Sequence, residues 1–367
     1  MGLYSNARAL AFSVAKRIVK FLYHDIKVLR ALCCRPFPSR PSIKSVHEGA
    51  RAHPGGIYAI FLLWQPKRFS WYVQNALESL NEAGINIVAV INHDLSEDQL
   101  AYLSGHTRSI IIRDNSGFDI GGYKDATTYL AKSNIALSRL LYLNDSTYFF
   151  KGGLTDLFRR MITSEADIIG TFENWEFTYH IQSFCFAVSG DLFRSEKFQR
   201  FWTSYLPVNS RLWAIQAGEI GLSRAMIPIA SSIDIIYKPN ALRPALSTLS
   251  KDDYTGLIKL YPGAIRFPHT HFLRLPKSAC VDELVSRIGL RSQIHTGGFL
   301  YRKYLACPIV KRDLLYRRQF SADEIEQALL ETGHEGHLDE IMTDFKRRGD
   351  SLHLSVLSRL KVANGIL

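Results

Sequence analysis

Between residues 57 and 171 the chain alternates apolar runs with helix-periodic stretches, and that order constrains its fold more than any other feature. Runs at 57–64, 85–91, 108–113, 140–143 and 167–171 read as strands, and between them 71–83, the stretch near Asp98, 123–132 and 154–162 read as helices. Near-continuous apolar runs suit strands buried on both faces, so the expectation is an α/β fold with a Rossmann-type, mostly parallel sheet flanked by helices. Further on, 180–188 reads as a strand and 191–205 and 217–226 as helices, which places the sheet domain at 50–275. Residues 276–367 look different, a helical region with stretches at 281–288 and from Ser321, where Ser321 and Glu324 have capping-box spacing.

A chain of 367 residues with 47% hydrophobic content can bury a large core. Its five cysteines, Cys33, Cys34, Cys185, Cys280 and Cys307, form no CxxC or Cys/His metal spacing. An odd number of them argues against a disulfide framework, so a reducing, cytoplasmic setting is expected. The net charge of +11 attracts anions: nucleic acid, anionic lipid or a phosphate-bearing substrate. The basic residues are scattered and match no helix-turn-helix, zinc-finger or RNP-like pattern, which argues against nucleic acid.

Residues 1–45 read as a basic amphipathic helix and a Pro-rich linker. Phe12, Ala15, Val19, Leu22, Ile26 and Leu29 recur at helical spacing, with Lys16, Lys20, His24 and Lys27 on another face. Such a helix either rests peripherally on an anionic membrane surface or packs on the main domain with solvated lysines. Charges interrupt it too soon for a spanning segment or a signal peptide, and Pro36, Pro38 and Pro41 end it.

Two segments carry candidate chemistry. The 140–143 strand delivers Asn144, Asp145 and Ser146 to a sheet edge, where open α/β sheets bind ligands. A carboxylate there suits Mg²⁺ or Mn²⁺ shared with substrate phosphates, or else the Asn-Asp pair caps the next helix. The stretch 115–125 (NSGFDIGGYKD) follows the 108–113 strand and opens a helix. Asn115, Gly121 and Gly122 would let the backbone approach a ligand, Lys124 would meet a phosphate, and Asp119 would accept from a ribose or base. A turn with a solvated lysine is the alternative, and the spacing is not the dinucleotide fingerprint GxGxxG.

Together these segments resemble the rhamnan synthesis protein F family of bacterial surface-polysaccharide enzymes, related to GT-A glycosyltransferases. The matching stretches are FDIGGYKD at 118–125, LNDS at 143–146, YHIQSF at 179–184, EIGLS at 219–223, PHTHF at 268–272 and PIVKRDLL at 308–315. The resemblance implies transfer of a sugar, rhamnose by the family name, from a nucleotide-sugar donor to a growing, lipid-linked cell-surface glycan, with inversion. Asp145 would bind the divalent ion, with His271 completing its shell and Asn144 standing where the usual Asp-x-Asp has its first acid. Glu219 would be the general base, with Glu176 and Glu173 as rivals, and His180 and Gln182 would bind sugar hydroxyls. Trp175, Phe177 and Tyr179 offer flat faces for a pyranose or simply belong to the core. A noncatalytic nucleotide-sugar or glycan-binding subunit of a synthase complex is the alternative. Either way, Lys124, Asp145 and Glu219 are expected to converge on one cavity.

Overall fold

The computed structural model describes residues 2–34, 42–133, 135–266, 270, 274–289, 291–315, 319–348 and 354–364. Its strands are β1 (Ile43–Glu48), β2 (Ile57–Leu63), β3 (Asn86–Ile91), β4 (Ser109–Arg113), β5 (Arg139–Asn144), β6 (Thr147–Phe149), β7 (Ile168–Gly170), β8 (Glu173–Asn174), β9 (His180–Ile181), β10 (Cys185–Ser189), β11 (Ile233–Ile235) and β12 (Ile309–Lys311). Eight of them form one sheet in the order β1-β4-β3-β2-β5-β10-β7-β11. β2 pairs in parallel with β3 and β5, and β3 with β4, whereas β10 runs antiparallel between β5 and β7. Chain order reverses between β2 and β5, so the loops after these two strands open a crevice at the sheet's C-terminal edge.

Alternation along β2 explains why both faces are covered. Ala59, Phe61 and Leu63 belong to one buried cluster with the helix Trp71–Glu82, while Tyr58, Ile60 and Leu62 belong to the other with the helix Phe118–Lys132. The C-terminal helices join the first cluster through Leu284, Leu300, Ile325, Ile341 and Phe345. Within that region, β12 pairs antiparallel with β6, which brings 309–311 to the crevice.

The strands between 57 and 143 and the helices between 71 and 163 lie where the sequence places them, except that the helix read at 123–132 begins at Phe118, and Ser321 and Glu324 form the expected capping box. Three readings change. The stretch 180–188 is two strands, because 182–184 leaves the ladder and turns the side chains of Gln182 and Ser183 toward Glu219. The helix read at 191–205 is broken at Ser195, whose extended backbone and hydroxyl, accepting from Phe198 N–H, cap a second helix. The 217–226 helix begins earlier, at Arg211, and passes through a π-helical turn, Ala214–Glu219.

The N-terminal helix also carries a π-turn, Phe21–Asp25. It packs through its basic side: His24 Nδ1 lies 2.7 Å from Ser210 Oγ, Lys27 donates to the Asn209 carbonyl at 2.7 Å, and Asn364 donates to the Lys16 carbonyl at 3.1 Å. Of the apolar row, Val19 is buried in this contact, whereas Phe12, Leu22, Ile26 and Leu29 face outward and are exposed. Among the described residues no helix is long and apolar enough to cross a membrane.

Candidate active site

A cavity of about 540 Å³ opens at the crevice. From β5 it takes Asn144, with Asp145 and Ser146 beyond; from the turn after β4, Asn115, and from the first turn of the helix that follows, Asp119; from β9 and the following bend, His180, Gln182 and Ser183; and Glu219 from the π-turn. Glu176 and Phe177 stand at its mouth on the β8–β9 hairpin loop, Phe177 being 78% exposed.

Glu219 is held by three donors. Gln182 Nε2 donates to Oε1 at 2.6 Å and Ser183 Oγ to Oε2 at 3.1 Å, and His180 Nε2 lies 3.3 Å from Oε1. The opposite ring nitrogen of His180 is 2.8 Å from the Thr178 carbonyl, so the ring is fixed at both ends. Burial opposes the Glu219 charge, but the hydrogen bond and charge of His180, together with Lys311, outweigh it and hold this carboxyl below its ordinary range. Burial likewise opposes a charge on His180, and Glu219 overrides it, raising the imidazole. Asp119 moves the other way, because burial and the neighbouring Glu219 charge push its carboxyl up. Two carboxylates driven apart in one crevice are a recurring mark of acid–base chemistry. Since the helix begins at Arg211, Glu219 sits inside it and does not serve as a carboxylate for its N-terminus.

The Asn144-Asp145 pair is a hydrogen-bonding hub. The Asn144 amide donates to Asp119 Oδ2 at 3.1 Å, and its carbonyl oxygen accepts from the N–H and hydroxyl of Ser146. Asp145 Oδ2 accepts from Trp64 N–H at 3.1 Å and Gln65 Nε2 at 2.6 Å, and burial raises its carboxyl against the pull of Arg312. Lys311 Nζ is 2.8 Å from Ser146 Oγ, Arg312 donates to the Asp145 carbonyl at 2.7 Å, and Arg312 and Arg348 share Asp344 behind them.

Of the residues expected to hold Mg²⁺ or Mn²⁺, the cavity shows Asp145. Mg²⁺ is commonly held by one or two carboxylates together with water and substrate phosphates, and among the described residues no three His, Cys, Asp or Glu side chains gather around a common point. Asp145 faces Arg312 instead of a second acid, Asn144 spends its oxygen on Ser146, and His271 lies outside the described residues, as does His269.

Three further assignments change. Lys124 points away from the cavity and donates to the carbonyls of Thr203 and Tyr205 at the end of the neighbouring helix. The expected convergence therefore holds for Asp145 and Glu219, with Lys311 in the place expected of Lys124. Gly121 and Gly122 serve packing: a Cβ would lie 2.2 Å from the Ser116 carbonyl oxygen at the first and 1.8 Å from Leu62 Cδ1 at the second. The helix start at Phe118 does not cradle a phosphate, since Asp119 Oδ1 accepts from Ile120 N–H and Asn209 takes the Gly117 N–H. Sequence reasoning assigned no role to Trp64, Gln65, Lys311, Arg312 or Arg348. The adjacent basic pair following the short apolar run 309–310 was the signal that could have found two of them.

The fold and cavity define a doubly wound α/β protein with a polar, carboxylate-bearing ligand site at the point where strand order reverses. Residues 87–250 match the family model described as rhamnan synthesis protein F. The chain is 27% identical over 218 residues to an uncharacterized protein, y4gN, of Sinorhizobium fredii; the aligned part is 58% of this chain and 57% of that protein, so the chain spans little more than half of its relative. Among solved structures, it aligns with the glycosyltransferase GlyE of Streptococcus pneumoniae TIGR4 at 10% identity over 64% of each chain, TM-score 0.31. It also aligns with TarS 1–349 of S. aureus in complex with UDP at 11% identity, over 82% of this chain and 94% of that one, TM-score 0.32. Likenesses this distant leave the chemistry to be read from the residues themselves.

Proposed function

We propose that the protein is a GT-A-like glycosyltransferase that moves a sugar, rhamnose or a related deoxyhexose, from a nucleotide-sugar donor to a cell-surface polysaccharide, with inversion. The observation that carries this reading is the single crevice at the strand-order reversal, holding an anchored carboxylate, Glu219, opposite the cations Lys311 and Arg312. The family match over 87–250 supports the polysaccharide setting.

In this reading the acceptor oxygen attacks the anomeric carbon, the bond from that carbon to the diphosphate oxygen breaks with its electron pair leaving on the diphosphate, and Glu219 takes the hydroxyl proton. Lys311, Arg312 and Arg348 hold the charge of the leaving diphosphate, which preorganised cations stabilise without solvent rearrangement. Asn115 and Asp119 face the nucleoside portion, and His180 and Gln182 keep Glu219 ionised and aimed. The outward apolar row of the N-terminal helix lies on a cytoplasmic membrane face, where a lipid-linked acceptor is presented.

A noncatalytic, nucleotide-sugar-binding role in a synthase complex is the second reading. It draws on Glu219, both of whose oxygens already accept hydrogen bonds. Incubating the purified chain with a panel of nucleotide sugars, with and without EDTA, separates the two. Donor hydrolysis or transfer that survives EDTA is the expected result; stabilisation by a donor without turnover supports the binding role, and no response to any donor refutes both.

A further inference from the structure

A second, larger cavity of about 810 Å³ adjoins the first. Its charge is one-sided: Lys16, Lys20, Arg211, Arg224 and Arg291 line it against a single acid, Glu176. Lys20 pairs with Asp25 and Arg211 with Asp313, but Lys16, Arg224 and Arg291 form no ion pair among the described residues. Leaving cations uncompensated around a concavity costs stability through mutual repulsion, and an anion relieves it.

The two cavities share walls. Glu176, Phe177, Arg211, Ile215 and Ser292 line both. The helix that carries Glu219 into the first presents Gln216, Ile220 and Arg224, at four-residue steps, to the second. Leu212, Ile215, Ile220 and Val362 give the second cavity an apolar side beside its cations. Its outer rim is the N-terminal helix, which lends Lys16 and Lys20 and carries the uncovered apolar row on its far side.

We propose that this second cavity binds the acceptor through its phosphate: a phosphate or diphosphate ester bearing an apolar chain, with Arg224, Arg291 and Lys16 holding the anion. The chain would leave along the apolar wall toward the N-terminal helix, and the glycan end would pass Arg211 and Phe177 to reach Glu219. The inference rests on reading the first cavity as the transfer site.

The test uses the full chain and three probes: farnesyl diphosphate, inorganic pyrophosphate and farnesol. Farnesyl diphosphate should raise the melting temperature most, pyrophosphate less, and farnesol not at all. The double variant Arg224→Glu/Arg291→Glu, at two exposed positions, should weaken farnesyl diphosphate binding by about a hundredfold, about tenfold for each charge-assisted hydrogen bond removed. Stabilisation by a nucleotide-sugar donor should be unchanged in that variant, which also shows that it folds. Farnesyl diphosphate binding that survives both reversals overturns the proposal. Pyrophosphate binding as tight as farnesyl diphosphate, abolished in the variant, overturns the apolar part and leaves a simple phosphate site. Farnesyl diphosphate binding at these residues in a protein that responds to no donor refutes the transferase reading instead.

Discussion

Replacing Glu219 by Gln removes a charge while keeping the shape, and the surroundings can absorb the change. Gln182 Nε2, 2.6 Å from Oε1, can still donate to the new amide oxygen, and the Ser183 hydroxyl, 3.1 Å from Oε2, can turn from donor to acceptor. His180 loses the partner that raises it most, so burial pulls the imidazole down against the Thr178 carbonyl and the Glu176 charge. With its neighbours able to re-pair in this way, the stability loss should stay near the roughly 1.5–3 kcal/mol of a charge-assisted hydrogen bond. Transfer should suffer far more, because a positioned base contributes about 10²–10⁴-fold, about 3–5 kcal/mol of barrier. Single-turnover sugar transfer at saturating donor measures this loss, and donor-induced melting shifts show that binding is spared. Glu176→Gln is the comparison, since Glu176 lies exposed at the mouth of the cavity and its change should alter the rate by less than about threefold. A Glu219→Gln enzyme within about threefold of the parent rate refutes the assignment, and a collapse in Glu176→Gln alone moves the base there.

Two other outcomes follow from the same geometry. In His180→Ala the carboxyl of Glu219 loses the hydrogen bond and charge that lower it, so the pKa rises and the base becomes protonated at a higher pH; the acid limb of kcat/KM should move upward, and an unmoved limb refutes the coupling. Lys311→Met should weaken donor binding by about 10–100-fold, the worth of one charge-assisted phosphate contact, while EDTA leaves parent activity unchanged; activity abolished by EDTA and restored by Mn²⁺ refutes the cation-based account of the leaving group.

Much of the fold is legible because strands buried on both faces leave short apolar runs rich in β-branched residues that alternate with helix-periodic stretches. The strands at 57–63, 86–91 and 109–113 are of this kind. The bend was hidden because it depends on a side chain acting across the fold, whereas the break at Ser195 is a local cap, its hydroxyl accepting from Phe198 N–H. The bend at 182–184 exists to serve Glu219, some 37 positions away in the chain, and the π-turn at 214–219 has no local signature. Lys124 misled for a related reason: a lysine beside a glycine-rich turn looks like a phosphate ligand until its helix phase, set by Asp119 facing inward, points it at the carbonyls of Thr203 and Tyr205. The N-terminal helix shows the same limit. Its two faces were readable, but which one meets the protein depends on His24 finding Ser210.

The pairing of β12 with β6 has a consequence for how the protein is made. The strand carrying Lys311 is synthesised long after its partner at 147–149, and Arg348 arrives later still. A ribosome that has delivered the first sheet strands has therefore built the floor of the crevice without its cationic wall. Nascent chains can fold early domains as they emerge, but here the crevice gains Lys311 and Arg348 only after the sheet strands are complete, so a product that stops short of β12 would carry the doubly wound scaffold without these two cations.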